Sequence, residues 1–185
     1  MIEPKQDVPR NIDGTSKEER LEWLMEEYGH SVIRLAYTYV KQKQLAEDIA
    51  QDVFIKCYEK MDDFREESSY KTWLYRITVN KCKDFIKSWS YKNVMVTEFF
   101  SSKWRRIDTT AEMEMLVNEE NQYIAEKVIS LPIKLREVII LHYYEEMKIE
   151  EISSLINVNR NTVKSRMHRA RSLLKNMLKG GPLDG

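Results

Sequence analysis

Breakers of regular structure are scarce in this chain, 5 glycines and 4 prolines in 185 residues, beside long runs of good helix formers. Strand and turn signals are correspondingly few, which excludes a β-rich class and predicts an all-α protein. Cysteine is scarcer still. Cys57 and Cys82 are the only two, and without a paired C-x-x-C spacing they offer no zinc site and read as reduced, structural thiols. The three histidines, His30, His142 and His168, lack an evident carboxylate partner or metal-ligand spacing, and no glycine-rich phosphate loop occurs. Neither an enzyme nor a bound cofactor is expected. No uninterrupted apolar run reaches the length of a membrane span, and Met1-Ile2-Glu3-Pro4-Lys5 is no signal-peptide core. The chain is therefore expected in the cytoplasm, with no membrane insertion of its own. Net charge is missing too, because 30 Lys and Arg balance 30 Asp and Glu. What is present, 42% hydrophobic and 32% charged residues, is the composition of a soluble chain that can build a core.

The balanced charge is unevenly spread, and the stretch from Ile149 to Lys179 shows it best. Val163, Met167, Ala170, Leu174 and Met177 follow at intervals of four, three, four and three, which is one apolar stripe of an α-helix turned to a core. At about 100° per residue, Asn161, Ser165, His168 and Arg169 point directly away from that stripe. Lys164, Arg171 and Lys175 lie on one flank and Arg166 on the other. Upstream, Ile149, Ile152, Leu155 and Ile156 mark a shorter helix, and Asn157-Val158-Asn159-Arg160 is a tight connection. Two helices on a short turn predict a helix-turn-helix with the second as recognition helix. Between Ile152 and Leu183 there are seven Lys or Arg and no Asp or Glu, so the rest of the chain carries a net −7. Such segregation suits phosphates, because each cation set against one releases condensed counterions. A membrane-surface helix would want large aromatics on its apolar side.

The remaining chain divides by pattern into a polar tail (1–18), a first helical domain (19–90), a linker (91–120), the helix-turn-helix domain (121–180) and a short end (181–185). Thr15 or Ser16 with Glu18 and Glu19 predicts a helix start. Leu21, Leu24, Met25, Tyr28, Val32, Leu35, Ala36 and Tyr39 continue it as one long stripe, with a break expected near Gly29. From Ala46 to Lys60 a second helix has Ile49, Val53 and Cys57 inside, and Phe54 and Ile55 do not fit on that stripe together. A helix that presents Asp48, Gln51 and Asp52 with an apolar side chain off its stripe suits a protein interface; an ordinary wide apolar face fits the same pattern. Tyr70 to Lys87 interleaves aromatic and basic residues. Bases stack on rings while Lys and Arg follow a backbone, so single-stranded nucleic acid fits, and so does a core helix whose lysines reach out to water. The linker is acidic towards its end, with Asp108, Glu112, Glu114, Glu119 and Glu120. Helical periodicity returns at Ile124, Val128 and Leu131, stops at Pro132 and resumes with Leu135, Val138, Ile139 and His142, making the carboxyl half a four-helix domain.

Five motifs occur in one order: Asp48-Ile49-Ala50-Gln51-Asp52-Val53-Phe54; Phe64-Arg65; Tyr70-Lys71-Thr72-Trp73-Leu74-Tyr75-Arg76-Ile77 with Asn80; Leu131-Pro132 with Leu135-Arg136; and Thr162-Val163-Lys164-Ser165-Arg166-Met167-His168-Arg169-Ala170-Arg171. Together, over roughly Leu21 to Lys179, they resemble a bacterial RNA polymerase sigma factor of the compact extracytoplasmic-function group. The resemblance implies a promoter-specificity factor for a stress or envelope regulon, built from two small helical domains on a flexible linker. It implies that Asp48, Gln51, Asp52, Phe54 and Ile55 dock on the clamp helices of the polymerase core's largest subunit. Phe64, Arg65, Tyr70, Trp73, Tyr75, Arg76, Asn80, Lys81 and Lys83 would meet the minus-ten element, where a non-template base is flipped out and held by stacking and hydrogen bonds. Arg160, Asn161, Thr162, Lys164, Ser165, Arg166, His168, Arg169 and Arg171 would meet the minus-thirty-five duplex. The acidic linker would pass near the RNA path, and a cognate anti-sigma factor is an implied partner. A conventional helix-turn-helix regulator explains the carboxyl half equally well. It leaves the second nucleic-acid surface and the interface helix without a purpose.

Overall fold

The computed structural model describes residues 15–64, 69–88 and 119–179. In order they form α1 (Lys17–Val40), α2 (Lys43–Lys60) with a 3-10 turn (Met61–Asp63), and α3 (Tyr70–Lys87). Then come α4 (Glu119–Ser130), α5 (Ile133–Ile139) running into a π-helical turn (Ile140–Tyr144), α6 (Ile149–Ile156) and α7 (Arg160–Leu178). No strand occurs among the described residues, as the shortage of turn and strand signals predicts. The chain divides into two compact units, Met1–Asp84 and Phe85–Gly185, with the division falling inside α3. Most of the expected linker lies outside the described residues; its last two, Glu119 and Glu120, already belong to α4.

In the first unit, α1 starts at a capping box. The Ser16 hydroxyl accepts from the Glu19 N–H at 3.2 Å while Glu19 accepts from the Ser16 N–H at 2.8 Å, so two otherwise orphaned donors are satisfied. The expected break at Gly29 does not occur, and α1 is continuous to Val40. A glycine in a helix costs about 1 kcal/mol against alanine, and burial of Leu24, Tyr28, Val32 and Leu35 on the same helix outweighs that. Lys41, in the left-handed region at φ 58°, ends the helix and turns the chain back into α2. The two ends are clipped together. Lys17 pairs with Asp62 at 2.8 Å, and the Tyr58 hydroxyl donates to Glu18 at 2.6 Å. That hydrogen bond from Tyr58 keeps the Glu18 carboxyl below its usual range.

α3 closes this unit with Leu74, Tyr75, Thr78, Val79 and Cys82 inward. Tyr75 stands edge-on to Tyr28 at 6.4 Å between ring centres. Both cysteines are buried, Cys57 in α2 and Cys82 in α3, and loss of solvent pushes each thiol up to about 12. The thiolate is the reactive form. At mildly alkaline pH a thiol-specific disulfide reagent is therefore expected to leave both unlabelled in the folded chain and to label both after unfolding in guanidinium. Rapid labelling of the folded chain would contradict their packing.

In the second unit, α4 ends before Pro132, whose ring cannot continue a helix. Carbonyls at and just past the end of α4 are satisfied from an unexpected quarter. Arg136 of α5 is 3% exposed, and its Nη1 donates to the Ile129 carbonyl and, at 3.3 Å, to that of Leu131. α6 ends at Asn157, which takes the left-handed region at φ 56°, a conformation that asparagine tolerates. Asn159 then caps α7, its side-chain oxygen accepting from the Thr162 N–H at 2.7 Å and the Thr162 hydroxyl at 2.9 Å. α6 and α7 bury Ile152, Leu155 and Ile156 and Val163, Met167 and Ala170 respectively. The expected stripe of α7 does not stay buried to its end. Leu174 is half-buried and Met177 is exposed.

Candidate nucleic-acid interface and flanking grooves

α7 presents the outward face that its periodicity predicts. Asn161, Ser165, His168 and Arg169 are exposed opposite buried Val163, Met167 and Ala170, and Lys164 and Arg171 are exposed beside them. Arg160, also exposed, reaches Glu150 of α6 only at 3.6 Å, a loose surface pair that salt and a competing phosphate displace. Two expected contacts belong elsewhere. Thr162 donates to the Asn159 cap through both its N–H and its hydroxyl. Arg166 turns back into the unit, its guanidinium on Glu137 of α5 at 2.9 Å with the two side chains 18% and 5% exposed. An acceptor buried so deeply draws the long arginine inward, and spacing along α7 could not reveal it.

On α2, Asp48, Gln51, Asp52 and Ile55 occupy one helical face and are all exposed. Phe54 departs from expectation. It is 7% exposed and packs inward, whereas Ile55 is 59% exposed and is the apolar group that faces water. The uncertainty between the two could not be settled from spacing, because the inner stripe of α2 is wide enough to take in Ile49, Ala50, Val53, Phe54 and Cys57. Between α1 and α2 runs a groove of about 930 Å³, lined by Leu21, Met25, Ile33, Phe54, Ile55 and Tyr58, with Glu47, Gln51 and Glu59 also on its wall. Gly29 contributes to its openness, since a Cβ there would meet nothing within 4 Å.

On α3, Trp73, Arg76, Asn80 and Lys83 share one stripe, half-buried except for exposed Asn80. Tyr75 departs from expectation completely, being fully buried in the core. Tyr70 is also buried, stacked on Phe64 at 4.2 Å between ring centres, with Trp73 5.2 Å from Phe64. The aromatic residues thus form a wall in which Phe64 and Trp73 are the half-exposed members. Arg65 lies outside the described residues. Lys81 leaves the stripe to pair with Asp52 of α2 at 3.2 Å, so a predicted polymerase contact and a predicted DNA contact are bound to each other.

A second groove, of about 840 Å³, was not signalled by any motif. Ile124 and Val128 of α4, Tyr143 and Tyr144 of the π-helical turn, and Leu174 and Leu178 of α7 line it, with Arg171, Lys175 and Lys179 along its edge. Tyr143 and Tyr144 are about half exposed, at 52% and 46%.

The family described as Sigma-70 region 2 matches residues 24–90, and the family described as Sigma-70, region 4 matches residues 121–174. The ECF RNA polymerase sigma factor SigW of Bacillus subtilis (strain 168) is 30% identical over 159 residues, 82% of this chain and 85% of that protein. The ECF RNA polymerase sigma-E factor of Escherichia coli (strain K12) is 32% identical over 160 residues, 83% of each. Among solved structures, the sigma factor RpoE of Bartonella quintana, crystallised with the anti-sigma factor NepR, superimposes with a TM-score of 0.69 at 22% identity, covering 89% of this chain and 99% of that one. No helix among the described residues is long and apolar enough to cross a membrane.

Proposed function

Because the chain belongs to the extracytoplasmic-function group of the sigma-70 family of RNA polymerase sigma factors, we propose that its first unit docks on the polymerase core and meets the minus-ten element while α7 reads the minus-thirty-five element. The observation that carries this reading is the outward face of α7, where Asn161, Ser165, His168 and Arg169 are exposed and the opposite stripe is committed to the core. A helix so anchored can enter a major groove by one side only. Arg160, Lys164 and Arg171 flank that side and suit phosphates.

For the core, the supporting feature is the single exposed face of Asp48, Gln51, Asp52 and Ile55, next to an apolar groove whose exposed members include Met25 and Tyr58. For the minus-ten element, Phe64 and Trp73 offer ring faces, Asn80 offers a hydrogen-bonding edge, and Arg76, Lys81 and Lys83 offer charge. Both apolar grooves suit helices of an anti-sigma partner, the kind of protein with which RpoE of Bartonella quintana was crystallised. Such a factor acts in the cytoplasm, on the promoters of a stress or envelope regulon.

The test is reconstitution. Purified full chain mixed with sigma-free polymerase core is expected to co-elute with it and to start transcription at specific promoters; neither happening would end the proposal. Asp48→Lys with Asp52→Lys is then expected to weaken core binding with helical circular dichroism and melting temperature nearly unchanged. The lost Asp52–Lys81 surface pair contributes less than about 1 kcal/mol. Unaltered core affinity in that double variant would remove α2 from the interface.

A further inference from the structure

We propose that Glu137 sharpens the DNA specificity of α7 by withholding Arg166 from the phosphates. The inference rests on the reading of α7 as the DNA-facing helix. Arg166 lies on the flank of the outward face, one residue from exposed Ser165 and three from exposed Arg169, where an unengaged guanidinium could swing to a neighbouring phosphate. Instead its Nη1 donates to Glu137 Oε1 at 2.9 Å. Glu137 sits on α5 among Leu135, Arg136, Val138 and Ile139, all buried. A carboxylate in such surroundings needs a cation far more than an exposed one does. The pair is therefore held, unlike the loose pair of Arg160 with Glu150 at 3.6 Å.

Two consequences follow from the chemistry. The pair is neutral as a unit, so Arg166 adds nothing to the counterion release that drives binding to any duplex. The bond also ties α7 to α5 across the unit, which resists rotation of α7 about its own axis and keeps Ser165, His168 and Arg169 outward. A phosphate contact strengthens all sequences alike, whereas a base contact strengthens one. Withholding a phosphate-seeking arginine thus lowers affinity for arbitrary DNA and leaves base contacts intact, which raises the ratio that matters among many competing sites.

The experiment measures binding of the full chain to a fluorescein-labelled duplex of random sequence over a series of salt concentrations. Glu137→Gln keeps the shape of the side chain and releases Arg166. It is expected to bind more tightly, with log K against log salt steeper by about 0.9, the value of one further phosphate. Adding Arg166→Met to Glu137→Gln should restore the wild-type slope. Glu137→Met with Arg166→Met replaces a buried ion pair by apolar groups, a change that often preserves stability, and its slope should equal that of the wild type. A slope shallower by about 0.9 in that Met pair means Arg166 already touches a phosphate and overturns the proposal. A folded Glu137→Gln variant with wild-type slope overturns it equally. Wild-type chain that shows no salt-dependent binding would instead overturn the assignment of α7 as the DNA face.

Discussion

Arg169→Ala is expected to change which base is preferred at the minus-thirty-five element. Arg169 is exposed on α7, about 100° from buried Ala170 and about 160° from buried Met167, so its side chain leaves the unit on the outward face. A bidentate arginine contact to a base edge is worth roughly 1–3 kcal/mol of discrimination, or about 5- to 150-fold in relative affinity. Footprints on permuted promoters should therefore show selectivity at one position collapsing while the others keep theirs. Arg171→Ala is the control, since it should weaken all sequences alike and make the salt dependence shallower. Full base selectivity in Arg169→Ala, with only salt-dependent affinity lost, would mean that another face of α7 enters the groove.

The second large effect is on stability. Arg136→Met should destabilise the carboxyl unit by roughly 2–6 kcal/mol, because two buried carbonyls, of Ile129 and Leu131, lose their donor and each unsatisfied group costs about 1–3 kcal/mol. The apolar stem of methionine keeps most of the packing, which isolates the polar loss. Hydrogen exchange of the α4 to α7 amides in the full chain is the suitable measurement, because two units need not unfold together. Protection should fall across the carboxyl unit and stay unchanged in α1 to α3. Undiminished protection would show that water reaches the end of α4 and that Arg136 is dispensable.

Arg136 also marks where sequence reasoning stopped short. Leu135, Val138 and Ile139 were legible as core from their spacing, but α5 buries Arg136 and Glu137 as well. Periodicity assigns charged residues to water; only a helix enclosed by its neighbours reverses that, and enclosure is a property of the whole unit. The same holds on α3. Aromatic and basic residues alternate along it, yet Tyr75 is in the core and Asn80 is at the surface, because the packing of Tyr28 against Tyr75 decides which ring turns inward.

The sequence by itself determined where the helices run and, on α7, which face is buried and which is outward. Helical spacing couples position to direction, so the buried stripe and the outward face of α7, a helix start at Thr15 or Ser16, the end of α4 at Pro132 and the turn at Asn157 to Asn159 could all be read from local order. The five ordered motifs added the family. The tertiary structure alone decided which of the candidate groups are available. Arg166 and Lys81 look like free cations in sequence, and each is paired with an acid 29 residues away, Glu137 and Asp52 respectively. The groove of the second unit is likewise assembled from α4, the π-helical turn and α7, segments far apart in the chain. Side-chain direction is set within one turn of helix, whereas an ion pair or a groove exists only where folding brings distant segments within a few ångströms, and no local pattern records that meeting.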